Sequence, residues 1–254
     1  MTDMSSASPT PTVVLVHGAF ADASGWGPVI ERLMAAGVAV HAIVNPLRGI
    51  SADSAYAASV IGQIRGPVLA VGHSYGGAVI TNAASIAGNV AGLVYVAAFA
   101  PDEGETLQEI EARSRDSVLP PALRQTDYPL GPGPEVLGEL SIDVEQFHLA
   151  FAADLPPAQT AVMARSQRPV SVAAFGEKTG PPAWKKLPSW AVVATADKAA
   201  GADVVLSMAQ RAGAQITEVD ASHVPMMSHP DLVTDVILTA ARAVGRLDRM
   251  THAS

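Results

Sequence analysis

Gly72-His73-Ser74-Tyr75-Gly76-Gly77 sets a serine in the pattern Gly-x-Ser-x-Gly, between the apolar run Val68–Val71 and a helix-like stretch that starts at Gly77. In a chain rich in glycine and serine the pattern alone can arise by accident; its strand-to-helix context gives it meaning. A serine on so tight a turn is forced into strained backbone geometry, and small residues two before and two after it relieve the crowding. The turn lifts the hydroxyl above the sheet, and the following helix aims its positive end at that spot. This is how a nucleophile is presented. A phosphate-binding loop does not fit, because no Lys-Ser/Thr follows and no Gly-x-Gly-x-x-Gly is present here.

A serine hydroxyl is a poor nucleophile until a neighbouring base takes its proton. Seven histidines are available: His17, His41, His73, His148, His223, His229 and His252. His223 follows the last strand-like run, Ile216–Val219, after Asp220-Ala221-Ser222, so its loop leaves the same edge of the sheet as Ser74. It is the expected base. His17 and His73 also lie at strand ends, where they are expected to brace loops. His41 falls within a strand-like run, His148 on a helix, His229 before Pro230 at a helix start and His252 in the tail. The third group must be a carboxylate that holds the imidazole tautomer and stabilises its protonated form. Asp197 follows the run Trp190–Ala194 and gives the chain order Ser, Asp, His. Asp102, after Gly92–Ala97, could also reach the site. Asp197 is preferred, and Asp102 stays open as the acid or as a turn and cap residue.

Attack by Ser74 on a carbonyl would create a negative oxygen, which needs hydrogen-bond donors fixed beforehand. The run Val13–Val16 ends in His17-Gly18-Ala19-Phe20. Backbone N–H groups of Ala19, on that loop, and of Tyr75, next to the nucleophile, are the expected donors.

The elements that must position these residues alternate along the chain. Strand-like runs at Val13–Val16, Val38–Val44, Val68–Val71, Gly92–Ala97, Trp190–Ala194 and Ala214–Val219 are separated by amphipathic stretches near Trp26–Ala36, Asp53–Ile64, Gly77–Ala87, Asp203–Ala212 and Asp231–Val244. That is the pattern of βαβ units and a parallel sheet buried on both faces. Gly37, Gly88, Gly213 and Gly245 read as helix stops. The rhythm breaks between Pro101 and about Leu187, a proline-rich stretch with helix-like fragments near Ile142–Ala152 and Pro157–Ser166. Because strands resume at Trp190, residues 102–187 read as a mainly helical cap inserted into a core of residues 12–101 and 188–248. Such a cap would cover the strand ends where open α/β sheets bind ligands.

Composition excludes other classes. The chain of 254 residues has no cysteine, which removes disulfides, thiolate metal sites and a cysteine nucleophile. Its formal charge of −8, without a Lys/Arg-rich segment, argues against nucleic acid as a partner. No apolar run reaches the roughly 18 residues of a membrane span. Residues 1–11 lack the basic start and apolar core of a secretory signal and read as a disordered tail, so a cytoplasmic location is expected.

Together these residues resemble the α/β-hydrolase superfamily, and within it the small-esterase branch that includes plant methylesterases and hydroxynitrile lyases. The resemblance rests on HGAFADASGW (His17–Trp26), GHSYGG (Gly72–Gly77), VYVAAFAPDEGE (Val94–Glu105), ATADKA (Ala194–Ala199), DASHVPMMSHP (Asp220–Pro230) and the segment Phe151–Phe175. It implies a six-stranded, mostly parallel sheet flanked by helices, with a helical cap. It implies a triad of Ser74, Asp197 and His223, with Ala19 and Tyr75 as oxyanion donors and neither metal nor organic cofactor. Two departures stand out. Hydroxynitrile lyases carry a lysine after the catalytic histidine and a threonine beside the oxyanion loop; this chain has Val224 and Gly18. The expected activity is therefore hydrolysis of a small or medium apolar ester or lactone, with a small molecule as partner and a homodimer allowed. A lyase or C–C/C–N bond-cleaving enzyme on the same triad, or a slow-turnover ligand receptor, are the alternatives. Leu137, Leu140, Phe147, Phe151, Leu155 and Met163 in the insertion read equally well as core or as pocket lining.

Overall fold

Valine-rich runs pair side by side into a parallel sheet, because strands covered on both faces bury their β-branched side chains without needing a polar side. The computed structural model describes residues 10–251, with side chains as far as Arg246. The tail expected at residues 1–11 lies outside the described residues up to Pro9, as does His252. The chain runs through β1 (Thr12–Val16), α1 (Gly27–Ala35), β2 (Val40–Ile43), α2 (Ile50–Gly62), β3 (Val68–His73), α3 (Tyr75–Ile86) and β4 (Val90–Val96). It then leaves the sheet for α4 (Leu107–Glu111), α5 (Leu119–Ala122), β5 (Leu123–Pro129), β6 (Val136–Ile142), α6 (Phe147–Phe151), α7 (Pro157–Ser166), β7 (Val170–Ser171) and α8 (Val172–Gly176). It returns with β8 (Ser189–Ala194), α9 (Ala202–Arg211), β9 (Gln215–Val219), α10 (Pro225–Ser228) and α11 (Pro230–Thr251).

The main sheet has the order β2-β1-β3-β4-β8-β9, with every neighbouring pair parallel. Every residue of the central strands β3 and β8 is buried, whereas the edge strands β2 and β9 are partly exposed. Helices α2 and α3 pack together, as do α1 and α11, and α11 also lies against β3, β4 and β8. The six strands fall where the valine-rich runs predict them.

Two expectations need correction. Gly245 does not end the last helix, which continues to Thr251. An interior glycine costs about 1 kcal/mol relative to alanine, but the buried stripe Val233, Ile237, Ala240, Ala241 and Val244 holds α11 to the core. Tertiary packing overrides the local signal. Gly37 and Gly213 do turn left-handed after α1 and α9, at φ +72° and +64°. Beside its short helices α4 to α8, the insertion also contains an antiparallel sheet, β5-β6-β7. Its strands LRQTDYP and VLGELSI are largely solvent-facing, with Ile142 alone fully buried, and prolines sit at the hairpin's tip. A hairpin with so little apolar alternation has no strand signature to read.

Candidate active site

Ser74 stands between β3 and α3 with φ 53° and ψ −126°. This is backbone geometry that an L-residue adopts at a cost of about 1–3 kcal/mol and that surrounding structure must impose. The clamp is visible. The Ser74 carbonyl accepts from the N–H groups of Gly77 (2.9 Å) and Phe99 (3.1 Å). A Cβ on Gly76 would lie 2.3 Å from the Val16 carbonyl oxygen of β1, and one on Gly72 would lie 2.5 Å from the Gly76 oxygen. The glycines permit the close approach that makes the turn sharp.

His223 comes from the loop after β9, and Asp197 from the loop after β8. Their side chains meet: Nδ1 of His223 is 2.8 Å from Oδ2 of Asp197, and both residues are only 1 % exposed. Because a carboxylate accepts, the proton sits on Nδ1 and Nε2 is left free to take one. The other oxygen of Asp197 accepts from the N–H groups of Ala199 (2.9 Å) and Ala200 (3.1 Å), so the carboxylate cannot swing away. Ser74 keeps 7 % exposure, the most of the three. Asp102, the other carboxylate considered, instead forms an ion pair with Lys185 at the surface and binds the Glu103 N–H at 2.7 Å. The Lys185 ammonium lowers its pKa.

The other two strand-end histidines act as braces. His17 Nε2 accepts from the Asn45 N–H at 2.9 Å, so its Nδ1 carries the proton that is donated to the Gly18 carbonyl, also at 2.9 Å. This ties the loop after β1 to the loop after β2. His73 donates from Nε2 to the His223 carbonyl at 2.8 Å, and their rings lie 4.7 Å apart. Burial first, and His223 second, hold the His73 pKa well below the ordinary histidine value. Both braces are neutral spacers. Phe151 from the insertion packs 5.0 Å from the His223 ring.

Tyr75 follows Ser74, and Ala19 follows Gly18, which sits against Ser74. A Cβ on Gly18 would sit 2.6 Å from the Ser74 Cβ and 3.1 Å from its Oγ, so the loop after β1 passes directly over Ser74. Tyr75 is the first residue of α3, where an N–H has no intrahelical acceptor. Phe20, just past Ala19, is fixed at φ 60° with its N–H on the Arg168 carbonyl at 3.2 Å.

Three residues near the site carry no readable sequence signal. Asp53 is wholly buried and accepts from the Tyr75 hydroxyl at 2.8 Å, anchoring the residue after the nucleophile. Burial raises the pKa of the Asp53 carboxyl. Asp154, from the link between α6 and α7, accepts from the Ser222 N–H at 3.0 Å and from the Ser222 hydroxyl, next to His223. Glu111, on α4, is buried near Asp197 and His223, and the Asp197 carboxylate raises its pKa further beyond the effect of burial. Helix-start position is the only hint for Asp53, and ordinary helix composition hides Glu111.

Among the described residues, no group of three or more His, Asp or Glu side chains is arranged to hold a metal ion, and no helix is long and apolar enough to cross a membrane. The ambiguous apolar residues of the insertion take different places. Phe147 and Leu155 are buried in its core, Phe151 is buried but also lines a cleft with Met163, and Leu137 is exposed. Leu140 lines a cavity of about 320 Å³ under α4. Met163 lines a cleft of about 50 Å³ beside Phe20 and Met226.

A parallel sheet in this order, with a serine on the strand-to-helix turn after β3 and an insertion following β4, defines the α/β-hydrolase fold. The chain belongs to the alpha/beta hydrolase family, whose model matches residues 13–236. Among solved structures it is similar to polyneuridine aldehyde esterase, at 20 % identity and a TM-score of 0.75, over 91 % of this chain and 99 % of that one. A methylesterase from Arabidopsis matches at 19 % identity and a TM-score of 0.74, over 91 % and 99 % of the two chains. A pyrethroid hydrolase from Sphingobium faniae matches at 21 % and 0.73, over 92 % and 98 %. At these identities the likeness is one of fold. None of the curated proteins compared matches the chain in sequence.

Proposed function

We propose that the protein is a cytoplasmic, cofactor-independent serine hydrolase that cleaves a small or medium apolar carboxylic ester or lactone. The observation that carries this reading is the buried His223–Asp197 pair, locked in one tautomer on the loops that flank the strained turn of Ser74. His223 Nε2 takes the Ser74 proton as Oγ attacks the ester carbonyl. The tetrahedral oxyanion is met by the N–H groups of Ala19 and Tyr75, and the protonated His223 then hands its proton to the departing alcohol. A water activated by the same imidazole cleaves the acyl-Ser74 ester and restores the enzyme. Residues 102–187 act as the cap, closing over the strand ends and bringing Phe151 against His223. The esterases and the pyrethroid hydrolase of the same fold support an ester as the bond cleaved.

A cyanohydrin lyase on the same triad is disfavoured by two positions. Val224, buried and apolar beside His223, offers no cation to a departing cyanide, and uncompensated burial of charge is costly. At Gly18 a larger side chain would collide with Ser74. The test pairs two substrates and one variant. The wild type should hydrolyse activated short-chain esters, release no cyanide from mandelonitrile above background, and be labelled by a serine-directed phosphonate only at Ser74. Ser74→Ala should lose both labelling and turnover. Turnover retained in that variant, or efficient cyanide release with ester turnover at background, would overturn the reading.

A further inference from the structure

Beneath α4 and the β5–β6 hairpin lies the cavity of about 320 Å³, walled by apolar side chains that include Leu123, Leu140, Val172 and Phe175. It adjoins the nucleophile's surroundings: the Phe175 ring lies 6.4 Å from those of Phe20 and Tyr75, which flank Ala19 and Ser74. One acid lines it. Glu111 is 8 % exposed, and no cation pairs with it among the described residues.

The hydrogen bonds around Glu111 engage one of its two oxygens. Its Oε1 lies 3.1 Å from Ser117 Oγ. That hydroxyl is also 2.8 Å from the Ala199 carbonyl, which can only accept, and 3.2 Å from the Leu119 N–H, which can only donate. A hydroxyl has one hydrogen and two lone pairs. The Ser117 hydroxyl donates to Oε1, sharing its hydrogen with the Ala199 carbonyl, while the Leu119 N–H donates to its oxygen. Burial pushes the carboxyl up to about 7, against the hydrogen bond from Ser117, with Asp197 adding to the rise. Oε2 has no partner among the described residues. In the ionised form Oε2 presents lone pairs and no hydrogen.

We infer that this cavity receives an apolar arm of the substrate carrying a hydrogen-bond donor, a hydroxyl or an ammonium group, and that Glu111 Oε2 accepts it. Arms ending in a carboxylate are rejected, because acceptor would face acceptor. Glu111 is thus a specificity-determining residue. The inference rests on the esterase reading for the word substrate, but not for the binding itself.

Binding is therefore measured apart from turnover. 1-Hexanol, 1,6-hexanediol, 6-amino-1-hexanol and 6-hydroxyhexanoate are titrated into the full chain of wild type, Glu111→Leu and Glu111→Gln, followed by calorimetry or ligand-detected NMR. The wild type should bind the diol about fivefold tighter than hexanol, the scale of one hydrogen bond, and the carboxylate most weakly. At pH 8, where Glu111 is ionised, the ammonium should bind at least as well as the diol. Glu111→Leu should bring the diol-to-hexanol ratio to about 1. Glu111→Gln, whose amide oxygen still accepts, should keep the diol preference and lose that for the ammonium. If the leucine variant does not fold, the ammonium-to-diol ratio in the glutamine variant decides. Equal binding of diol and hexanol by the wild type overturns the inference, as does an ammonium preference that survives in Glu111→Gln. The matched p-nitrophenyl esters of hexanoate and 6-hydroxyhexanoate are assayed in parallel. If neither turns over while the diol preference holds, the esterase reading fails and the donor-reading cavity stands.

Discussion

At the scale of single residues, roles follow from what each polar atom can donate or accept. His223 has its Nδ1 proton committed to Asp197, His73 its Nε2 proton to a carbonyl, and His17 both nitrogens to the backbone. Among the described residues, His223 is left with Nε2 without a partner, and His73 with a fully buried Nδ1. The two carboxylates considered from sequence are separated by the same logic, since Asp102 is spent on Lys185. Asp197→Asn should lower kcat on an activated ester by on the order of 10⁴-fold, because the amide favours the wrong imidazole tautomer. Asp102→Asn should change it by less than about threefold, the loss of one exposed ion pair being worth at most about 1 kcal/mol. Steady-state kinetics on both variants checks this, and the reverse ranking would move the acid role to Asp102.

At the scale of elements, the site depends on two elements touching where side chains are absent. Helix α3 approaches β1 so closely that the Val16 and His17 carbonyls would lie 2.3 and 2.9 Å from a Cβ on Gly76. The obstacle is strand backbone, which cannot rotate aside. Gly76→Ala should therefore push α3 off the sheet and destabilise the protein by about 3 kcal/mol, at the upper end of ordinary overpacking. Urea unfolding gives the figure, and a loss below 1 kcal/mol would show that the turn can relax. Phe20 and Asp154 belong to the same scale. Through the Arg168 carbonyl and Ser222, each joins the insertion to a loop that carries a candidate site residue.

For the molecule as a whole, buried and paired acids set opposite limits on stability. Glu105 links Arg211 of α9 to Arg113 beyond α4, and its pKa falls to about 2 through those ion-paired hydrogen bonds, against the opposing effect of burial. A depressed folded pKa contributes stability that is present above the unfolded value, about 4.3, and is lost as pH falls toward 2. Glu111 has the other sign. Its folded value of about 7 lies above the unfolded one, so stability is full below about 4.3 and declines as pH rises to 7, then stays level. The decline attributable to Glu111 is at most about 4 kcal/mol. Glu111→Gln, which cannot ionise, should be more stable relative to wild type at pH 8 than at pH 5. Chemical unfolding at the two pH values measures the difference, and no change between them would mean that Glu111 ionises freely in the fold.

Much of this was legible before any coordinates. Ser74 announces itself because a strained strand-to-helix turn needs glycines at fixed offsets, and that chemistry is local. The six core strands are legible because parallel strands buried on both faces must be apolar throughout. The solvent-facing β5–β6 hairpin obeys no such requirement, and Gly245 sits in a helix held by packing rather than by propensity. Sequence order proposed Asp197 for His223, but only the folded loops show that Asp102 is occupied elsewhere. The braces of Asp53 and Asp154 come from residues remote in the chain from the groups they meet. A short-range turn can be written in six letters. A contact between distant segments exists only once the sheet has set their loops side by side.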